Sequence, residues 1–247
     1  MAEKFLVPIY LPRWLHEPIH RVKRAFVPAA KPAIDGVFTG PDLLGDRDIE
    51  WSYIAARLPQ GHGYVLDFGC GYGNMSIHAL QKGHRVLALD LEANVFPWFH
   101  PNVELISGDL LKLDLPEKVF DFILNSSTVE HVGLSGRYGI AFEETDGDLT
   151  AMRKLGKLLK ASGRMLMTIP CGQDAAITPW HRVYGRERLP KLLCGYGIDE
   201  EVYWVKRSDN RWYPSDREAA LSYIPTTHPT NASRCSYALG CFVLYLA

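Results

Sequence analysis

Short apolar runs alternate with amphipathic stretches along most of the chain. The apolar runs that predict strands cover residues 65–68, 85–89, 103–106, 119–124, 164–169, 201–206 and 237–245. Residues 46–58, 74–82 and 148–163 instead place apolar side chains three or four positions apart, as amphipathic helices do. Strands that alternate with helices in this way are typical of an α/β protein with a doubly wound, mostly parallel sheet. The polar, proline-containing stretch 212–233 predicts loop and short helix.

Three alternate glycines follow the first predicted strand. The apolar residues 65–68 lead into Gly69, Gly71 and Gly73. Because glycine has no Cβ and tolerates a positive φ, such a loop turns sharply and brings main-chain groups close to a ligand. A dinucleotide fingerprint needs its third glycine at the sixth position, which is Asn74 in this chain. The loop therefore predicts a nucleotide-like cofactor and weakens the case for a nicotinamide or flavin.

Acidic residues stand at or near the ends of three predicted strands. Asp67 precedes the glycine loop, Asp90 closes the second strand and Asp109 follows the third. A carboxylate at the tip of the second strand of a βαβ unit is placed to accept hydrogen bonds from a ribose diol. The acids therefore favour a ligand that contains a nucleoside.

This arrangement resembles the class I S-adenosylmethionine (SAM) methyltransferases, in which an acid lies two places before the first glycine of motif I. The resemblance rests on Asp67, Asp90, the Gly108-Asp109 pair and the later Glu130-His131-Val132. It implies a Rossmann-like sheet of seven strands with the last strand antiparallel, and SAM as the cofactor. It also implies that Asp90 holds the ribose and that Asp109 bonds the adenine amino group beside an apolar neighbour. The implied cofactor-binding residues are Asp67, Gly69, Gly71, Gly73, Asp90, Leu91, Asp109, Leu110 and Asn125.

Two polar segments follow the fourth and fifth predicted strands. Residues 125–139 are polar and glycine-rich, and residues 180–188 contain His, Arg and Tyr. Both project from the sheet edge that carries the glycine loop, so they are expected to share one pocket with it. They are similar to a largely uncharacterised family of small SAM methyltransferase-like domains, known as a domain of unknown function. The similarity covers roughly residues 46–247 and implies a role in surface-glycan or other carbohydrate biosynthesis. It is carried by Glu130, His131, Gly133, Leu134, Arg137, Tyr138, Gly139, Gly147, Asp148, His181, Arg182, Val183, Tyr184, Arg188 and Leu189.

Methyl transfer to a hydroxyl or an amine needs a group that removes the proton of the acceptor. Histidine suits this role because its ordinary pKa lies near neutrality, so His131 is the candidate base and His181 the second choice. The alternative for either is a structural histidine that bonds the backbone or a carboxylate. The arginines of the two segments suit a carboxylate or phosphate, as in a nucleotide sugar, with solvated surface arginines as the alternative. The residues expected to contact the acceptor are Glu130, Arg137, Tyr138, Arg182 and Tyr184.

A divalent metal is a weaker hypothesis for the same residues. Glu130 and His131 with His181 or Asp148 would offer suitable ligands. Adjacent residues seldom both bind one ion, however, and the sequence has no HxxxH or carboxylate cluster to require it. No metal is therefore expected.

Composition sets limits on this interpretation. With 247 residues, 47% of them hydrophobic, the chain can bury one substantial core, and its net charge of -1 argues against whole-surface attraction to nucleic acid. The five cysteines are scattered without CxxC spacing, which favours reduced thiols and a cytoplasmic protein. No apolar run approaches the roughly 20 residues of a membrane span, and no signal peptide is recognised.

The first 45 residues differ from the rest. Five prolines between positions 8 and 32 are mixed with aromatic and basic residues, which argues against one long helix. We therefore expect an N-terminal arm over residues 1–45, packed on a methyltransferase domain over residues 46–247. A second hypothesis for this arm is a role as a lid or in substrate recognition, and peripheral membrane contact is a weaker alternative.

Three functional classes fit the sequence. The preferred one is a small-molecule O- or N-methyltransferase acting on a sugar or glycan precursor. The others are an RNA or protein methyltransferase, and a SAM-binding protein that does not transfer a methyl group. Asp67, Asp90 and Asp109 favour cofactor binding in all three classes and therefore do not separate them. The sequence does not indicate an oligomeric state.

Overall fold

The structure is a computed structural model that describes residues 46–92, 96, 99–136, 143–207, 211–226 and 236–247. These residues belong to one compact unit of the chain. The predicted arm over residues 1–45 lies outside the described residues, and so do the predicted acceptor contacts Arg137 and Tyr138.

Strands and helices alternate in the first two thirds of the described chain and give way to mainly strands after that. The strands are β1 (Tyr64–Phe68), β2 (Arg85–Asp90), β3 (Val103–Ser107), β4 (Phe120–Ser126), β5 (Leu159–Cys171), β6 (Ala175–Ile177), β7 (His181–Val183), β8 (Tyr196–Lys206), β9 (Trp212–Ser215) and β10 (Ala238–Leu246). The helices are α1 (Arg47–Arg57), α2 (Asn74–Gln81), α3 (Gly147–Leu158), α4 (Arg188–Leu192) and α5 (Arg217–Leu221), and Val129–His131 forms a 3₁₀ turn.

One mixed sheet organises these elements. Its strand order is β3-β2-β1-β4-β5-β10-β8-β9, and the first five strands in this order are parallel. Strand β10 runs antiparallel between β5 and β8, as predicted for the last strand. The doubly wound α/β class is thereby confirmed. Strands β6 and β7 form a separate two-stranded ribbon.

The sheet has an eighth strand where the sequence predicts loop. Trp212–Ser215 pairs antiparallel with Tyr203–Lys206 of β8, so the stretch 212–233 begins as a strand and continues into helix α5. A run of four residues that contains Pro214 is too short to show the two-residue period of a strand, and proline opposes that assignment. The pairing comes from the open edge of β8 and is a tertiary effect.

Strand β8 also begins earlier than predicted. The sequence places its start at 201, but the strand begins at Tyr196 and pairs along most of β10. The added residues include Asp199 and Glu200, which are of a type that disfavours strands. Arg164 pairs with Asp199 and Arg57 with Glu200, so both acids find partners at the sheet surface.

Both faces of the sheet are covered. Neighbouring residues such as Val65 and Leu66 alternate between two hydrophobic cores, because successive side chains of a strand point to opposite faces. One core includes α3 and α4, and the other includes α1 and α2. A strand buried on both faces reads as a continuous apolar run, which explains why β1, β2 and β4 are evident in the sequence. None of the helices in the described ranges is long and apolar enough to cross a membrane.

Candidate active site

A cleft of about 760 Å³ opens at the carboxyl ends of β1, β2, β3 and β4. It lies where the strand order reverses, since β1 pairs with β2 on one side and with β4 on the other. Ligands of open α/β sheets bind at this topological switch point. The loops after these four strands form its walls, and helix α1 contributes Arg47 and Trp51.

The glycine loop forms one wall of the cleft, and its glycines serve different purposes. A Cβ at Gly69 would overlap the side chain of Thr128, and one at Gly73 would overlap the ring of Phe96. Gly71 has φ +49°, yet a Cβ there would meet no atom within 4 Å. Gly71 also lines the cleft, so its missing side chain leaves room for a ligand. Gly73 does not line the cleft and instead precedes helix α2 as its N-cap.

The three predicted acids all line the cleft. The Asp90 carboxylate accepts hydrogen bonds from the main-chain N–H of Gly71 at 2.9 Å and of Glu92 at 3.1 Å. Asp109 Oδ1 accepts from the main-chain N–H of Leu111 at 2.9 Å. These bonds fix the carboxylates at the ends of β2 and β3.

Asp67 is almost fully buried beneath the glycine loop. Ser76 Oγ donates to Asp67 Oδ2 at 2.6 Å. Burial raises the pKa of Asp67 to about 6, and the nearby Asp90 adds to the shift while the bonds from Ser76 oppose it. The carboxyl therefore titrates closer to neutrality than an exposed aspartate does.

Most of the predicted cofactor residues share this half of the cleft. Leu91 and Leu110 provide apolar walls beside the two strand-end carboxylates. Asn125 does not line the cleft, because it is buried and its Oδ1 accepts from the main-chain N–H of Val129 at 3.1 Å. The fit to a nucleoside cofactor is good: carboxylates can accept from hydroxyl groups, apolar side chains can flank a base, and Gly71 leaves space beside its main chain.

The other half of the cleft is formed by the turn after β4. Ser127 has φ +47°, a conformation that non-glycine residues seldom adopt and that recurs at functional sites. Its hydroxyl donates to the carboxyl of Glu50, which also accepts from Thr168 Oγ1 at 3.0 Å and from Arg47 Nη1 at 2.6 Å. Glu50 belongs to α1 and is fully buried, so the first helix holds the turn in place. The predictions from sequence did not include α1 in the site.

His131 is the one candidate base that lines the cleft within the described residues. Its Nδ1 lies 2.5 Å from the carbonyl oxygen of Trp180. A carbonyl only accepts hydrogen bonds, so we assign the proton to Nδ1 and the basic lone pair to Nε2. His181 lies behind it, with the two ring centroids 6.5 Å apart, and packs edge-on against Tyr237.

Arg182 and Tyr184 are predicted to contact the acceptor, but neither lines the cleft. Arg182 is 3% exposed and donates to the main-chain carbonyls of Glu130, Val132, Glu144 and Thr145. Tyr184 is fully buried and donates from its hydroxyl to Asp148 Oδ2 at 3.0 Å. Strand β7 and the residue after it pack beneath residues 130–132 and 144–148, so both side chains support the cleft from behind.

Glu130 also lies behind the cleft. It is 1% exposed, and its Oε1 lies 3.8 Å from His131 Nε2. Burial raises the pKa of Glu130 well above the usual range for glutamate. Within the described ranges, no group of three or more His, Cys, Asp or Glu side chains is arranged to hold a metal ion.

Comparison with known proteins gives matches to methyltransferases. A family model described as "Caenorhabditis protein of unknown function, DUF268" matches residues 73–209. A probable S-adenosylmethionine-dependent methyltransferase of Mycobacterium tuberculosis is 25% identical over 193 residues, which span 69% of this chain and 65% of that protein. The chain thus covers slightly less than two thirds of this relative. A ribosomal RNA small subunit methyltransferase A of Levilactobacillus brevis is 30% identical over 88 residues, covering 33% of this chain and 30% of that one.

Solved structures show the same fold. An S-adenosylmethionine-dependent methyltransferase from Mesorhizobium loti has a TM-score of 0.51 at 18% identity, covering 79% of this chain and 97% of that one. One from Methanosarcina mazei has a TM-score of 0.51 at 14% identity, covering 78% and 98%. At such identities the likeness is one of fold.

Proposed function

Because this chain belongs to the family described as Caenorhabditis protein of unknown function, DUF268, and has a methyltransferase fold, we propose that it is a SAM-dependent methyltransferase. Its acceptor is a hydroxyl or amine of a small molecule, with a sugar or glycan precursor preferred. The observation that carries the proposal is the open space at Gly71 beside the Asp90 carboxylate, in the cleft at the switch point of the sheet.

Residues of the β1 to β3 loops would hold the cofactor, which supplies an electrophilic methyl group on a sulfonium. Asp90 would accept from ribose hydroxyls, and Asp109 would bond the adenine amino group. Leu91 and Leu110 would flank the base. Gly71 allows the ligand to approach the main chain, because a side chain there would occupy the cleft.

His131 is proposed as the base. It would accept the acceptor's proton at Nε2 while Nδ1 remains bonded to the Trp180 carbonyl. A fixed ring orientation keeps the basic nitrogen in one place, and positioning of the reactants contributes much of the rate in such reactions. The role of His181 is to pack behind His131 and support its orientation.

The acceptor half of the cleft suits a polar molecule. The turn of residues 126–128 and Arg47 line it, and Arg47 can receive a phosphate or carboxylate while Glu50 holds its guanidinium. This supports a nucleotide sugar or an anionic glycan precursor. Arg137 and Tyr138 remain proposed as further acceptor contacts.

Two alternatives remain separate outcomes of the test. The likeness to a ribosomal RNA methyltransferase over 88 residues favours an RNA acceptor. The net charge of -1 does not provide the general attraction that RNA binding usually uses. A SAM-binding protein without transfer would bind the cofactor but methylate nothing.

A cytoplasmic location is also proposed, since Cys70, Cys171, Cys194 and Cys241 are free thiols.

The deciding experiment combines calorimetry with a transfer assay. S-adenosylhomocysteine should bind the wild-type protein, and methyl-labelled SAM should transfer label to at least one member of a panel of nucleotide sugars and glycans. Transfer to RNA fragments instead would support the first alternative. Binding without transfer to any acceptor in either panel would support the second, and absence of binding would contradict the proposal.

His131→Gln tests the base within the same assay. Glutamine can still donate to the Trp180 carbonyl, so cofactor affinity should be retained while turnover falls by about 10²- to 10⁴-fold. An unchanged rate in this variant would remove His131 from the mechanism.

A further inference from the structure

Glu130 and His131 are neighbours in the 3₁₀ turn, and both side chains reach the same small region. Glu130 Oε1 lies 3.8 Å from His131 Nε2, which is within ion-pair distance. The glutamate is 1% exposed, whereas the histidine side chain is 18% exposed and lines the cleft. The carboxyl is therefore on the protein side of the imidazole and does not face the acceptor.

The carboxyl of Glu130 has few hydrogen-bond donors around it. Its Oε2 is buried and accepts no hydrogen bond from any residue that the structure describes. A buried polar atom of this kind costs free energy, so its retention calls for a reason. In the described part of the chain, His131 is the basic side chain within ion-pair distance of Glu130.

Other charges near Glu130 come from several elements. Glu50 and Asp46 at the start of α1 repel its negative charge, and Arg47 attracts it. The Arg47 guanidinium is bonded to Glu50. Residues Cys171, Tyr184 and Tyr237 also lie close enough to interact with it, but each is held neutral by burial. The ring of His181 lies edge-on to that of His131, with 6.5 Å between the centroids.

We propose that Glu130 is a positioning residue for His131, whose carboxylate stabilises the imidazolium produced during methyl transfer. This rests on the proposed function only in that His131 is the base. When the acceptor O–H or N–H bond breaks, the proton moves to Nε2 and the bonding electrons stay on the acceptor atom. The imidazolium then faces the Glu130 carboxylate, and the proton later leaves to solvent.

This arrangement makes the two groups titrate together. A carboxylate within about 4 Å of an imidazole raises its proton affinity by about one pKa unit or more. Burial raises the pKa of Glu130, and the attraction between the two groups spreads their titrations apart, so the pair holds one proton over a wider pH range. Turnover should rise with pH as the pair loses that proton. In Glu130→Gln the acid side of the pH profile should move to lower pH, because the imidazole is then a weaker base.

The test reads His131 directly. The protein without ligand is labelled with ¹³C at histidine Cε1, and the His131 signal is assigned by its loss in His131→Gln. The titration midpoint of His131 should fall by about one unit or more in Glu130→Gln. Glu117→Gln, which removes an exposed acid outside the cleft, controls for net charge and should leave the midpoint unchanged. Equal midpoints in the wild type and Glu130→Gln would overturn the proposal.

A reciprocal titration covers the case in which Glu130→Gln does not fold. Wild type and His131→Gln are labelled with ¹³C at the glutamate carboxyl, and one carboxyl midpoint should move upward when the imidazole is removed. If no carboxyl midpoint changes, the two groups are not coupled and the inference fails. Both titrations need neither cofactor nor acceptor, so their outcome is independent of whether the protein binds SAM or transfers methyl groups.

Discussion

The Asp90 carboxylate accepts a hydrogen bond from the main-chain N–H of Gly71, with 2.9 Å between oxygen and nitrogen. This bond joins the end of β2 to the loop that follows β1. The second carboxylate oxygen accepts from the N–H of Glu92 at 3.1 Å, so Asp90 fixes two loops at once. A residue predicted to contact the ribose therefore also shapes the main chain beside which the cofactor would lie.

Asp90→Ala is expected to weaken binding of S-adenosylhomocysteine. The variant loses the carboxylate that would accept from the ribose, and a hydrogen bond to a charged group contributes about 1.5–3 kcal/mol. Affinity measured by calorimetry should fall roughly ten- to hundredfold. Asp114→Ala removes an equal charge at an exposed position outside the cleft and should bind normally. Equal affinity in Asp90→Ala and wild type would contradict this role.

Gly71→Arg should abolish cofactor binding without unfolding the protein. A matched control is Gly195→Arg, because both glycines have positive φ and would offer open space to a Cβ. Each substitution should cost about 1–2 kcal/mol of folding free energy for the left-handed backbone. Of these two glycines, Gly71 lines the cleft and Gly195 does not, so calorimetry should separate the two variants although their thermal stabilities are similar. Comparable binding by both would show that the ligand lies elsewhere.

Asp67→Asn should change how stability depends on pH. The folded pKa of Asp67, about 6, is higher than the ordinary 3.8. The unfolded chain therefore ionises first as pH rises, and the wild type loses up to about 3 kcal/mol from this group between pH 4 and 6. Asparagine does not titrate, so the variant should gain stability relative to the wild type over this range. Urea unfolding of both proteins at pH 4, 5, 6 and 7 measures the difference, which would stay constant if Asp67 titrated normally.

Ser127 and Lys118 provide a matched pair for the strained turn. Both are non-glycine residues with positive φ, at +47° and +58°. Lys118→Gly relieves this conformation at an exposed site and should leave stability unchanged or slightly higher. Ser127→Gly relieves it too, but removes the hydroxyl that donates to the buried Glu50. We expect Ser127→Gly to be less stable than Lys118→Gly by roughly 1–3 kcal/mol in urea unfolding. Equal stabilities would mean that this hydrogen bond contributes little.

The nucleoside half of the cleft could be located from the sequence because the ends of the strands that form it could be located. Asp67, Asp90 and Asp109 each stand next to an apolar run, and parallel strands bring their carboxyl ends to one edge. The positions of these acids therefore depend on strand direction and order more than on side-chain packing. The spacing of the acids from the predicted strands is therefore enough to indicate their positions.

The acceptor half of the cleft was harder to predict from the sequence because its residues lie on short elements. Strand β7 has three residues, all buried, and so shows no alternation that would tell its inward from its outward side. Arg182 appeared suited to an anion but is surrounded by main-chain carbonyls, which no sequence pattern reports. Asn125 appeared to face the cofactor but closes the 3₁₀ turn.

Helix α1 carried a signal that could have been used. Glu50 lies four residues before Ile54 and three before Tyr53, on the buried stripe of the helix. A glutamate within such a stripe must be bonded or functional, since an unpaired buried charge is too costly. Arg47 and Trp51, which are also four residues apart, line the cleft.

Strand β9 changes what the edge of the sheet offers to other chains. An exposed strand edge presents unpaired N–H and C=O groups, on which a foreign strand can build and start aggregation. Here the last part of β8 is capped by a four-residue strand whose Pro214 has no N–H to donate. Further strand addition along β9 is disfavoured. Among the described residues, the portion of β8 before Tyr203 has no neighbouring strand on this side, so intermolecular β-pairing would use that portion.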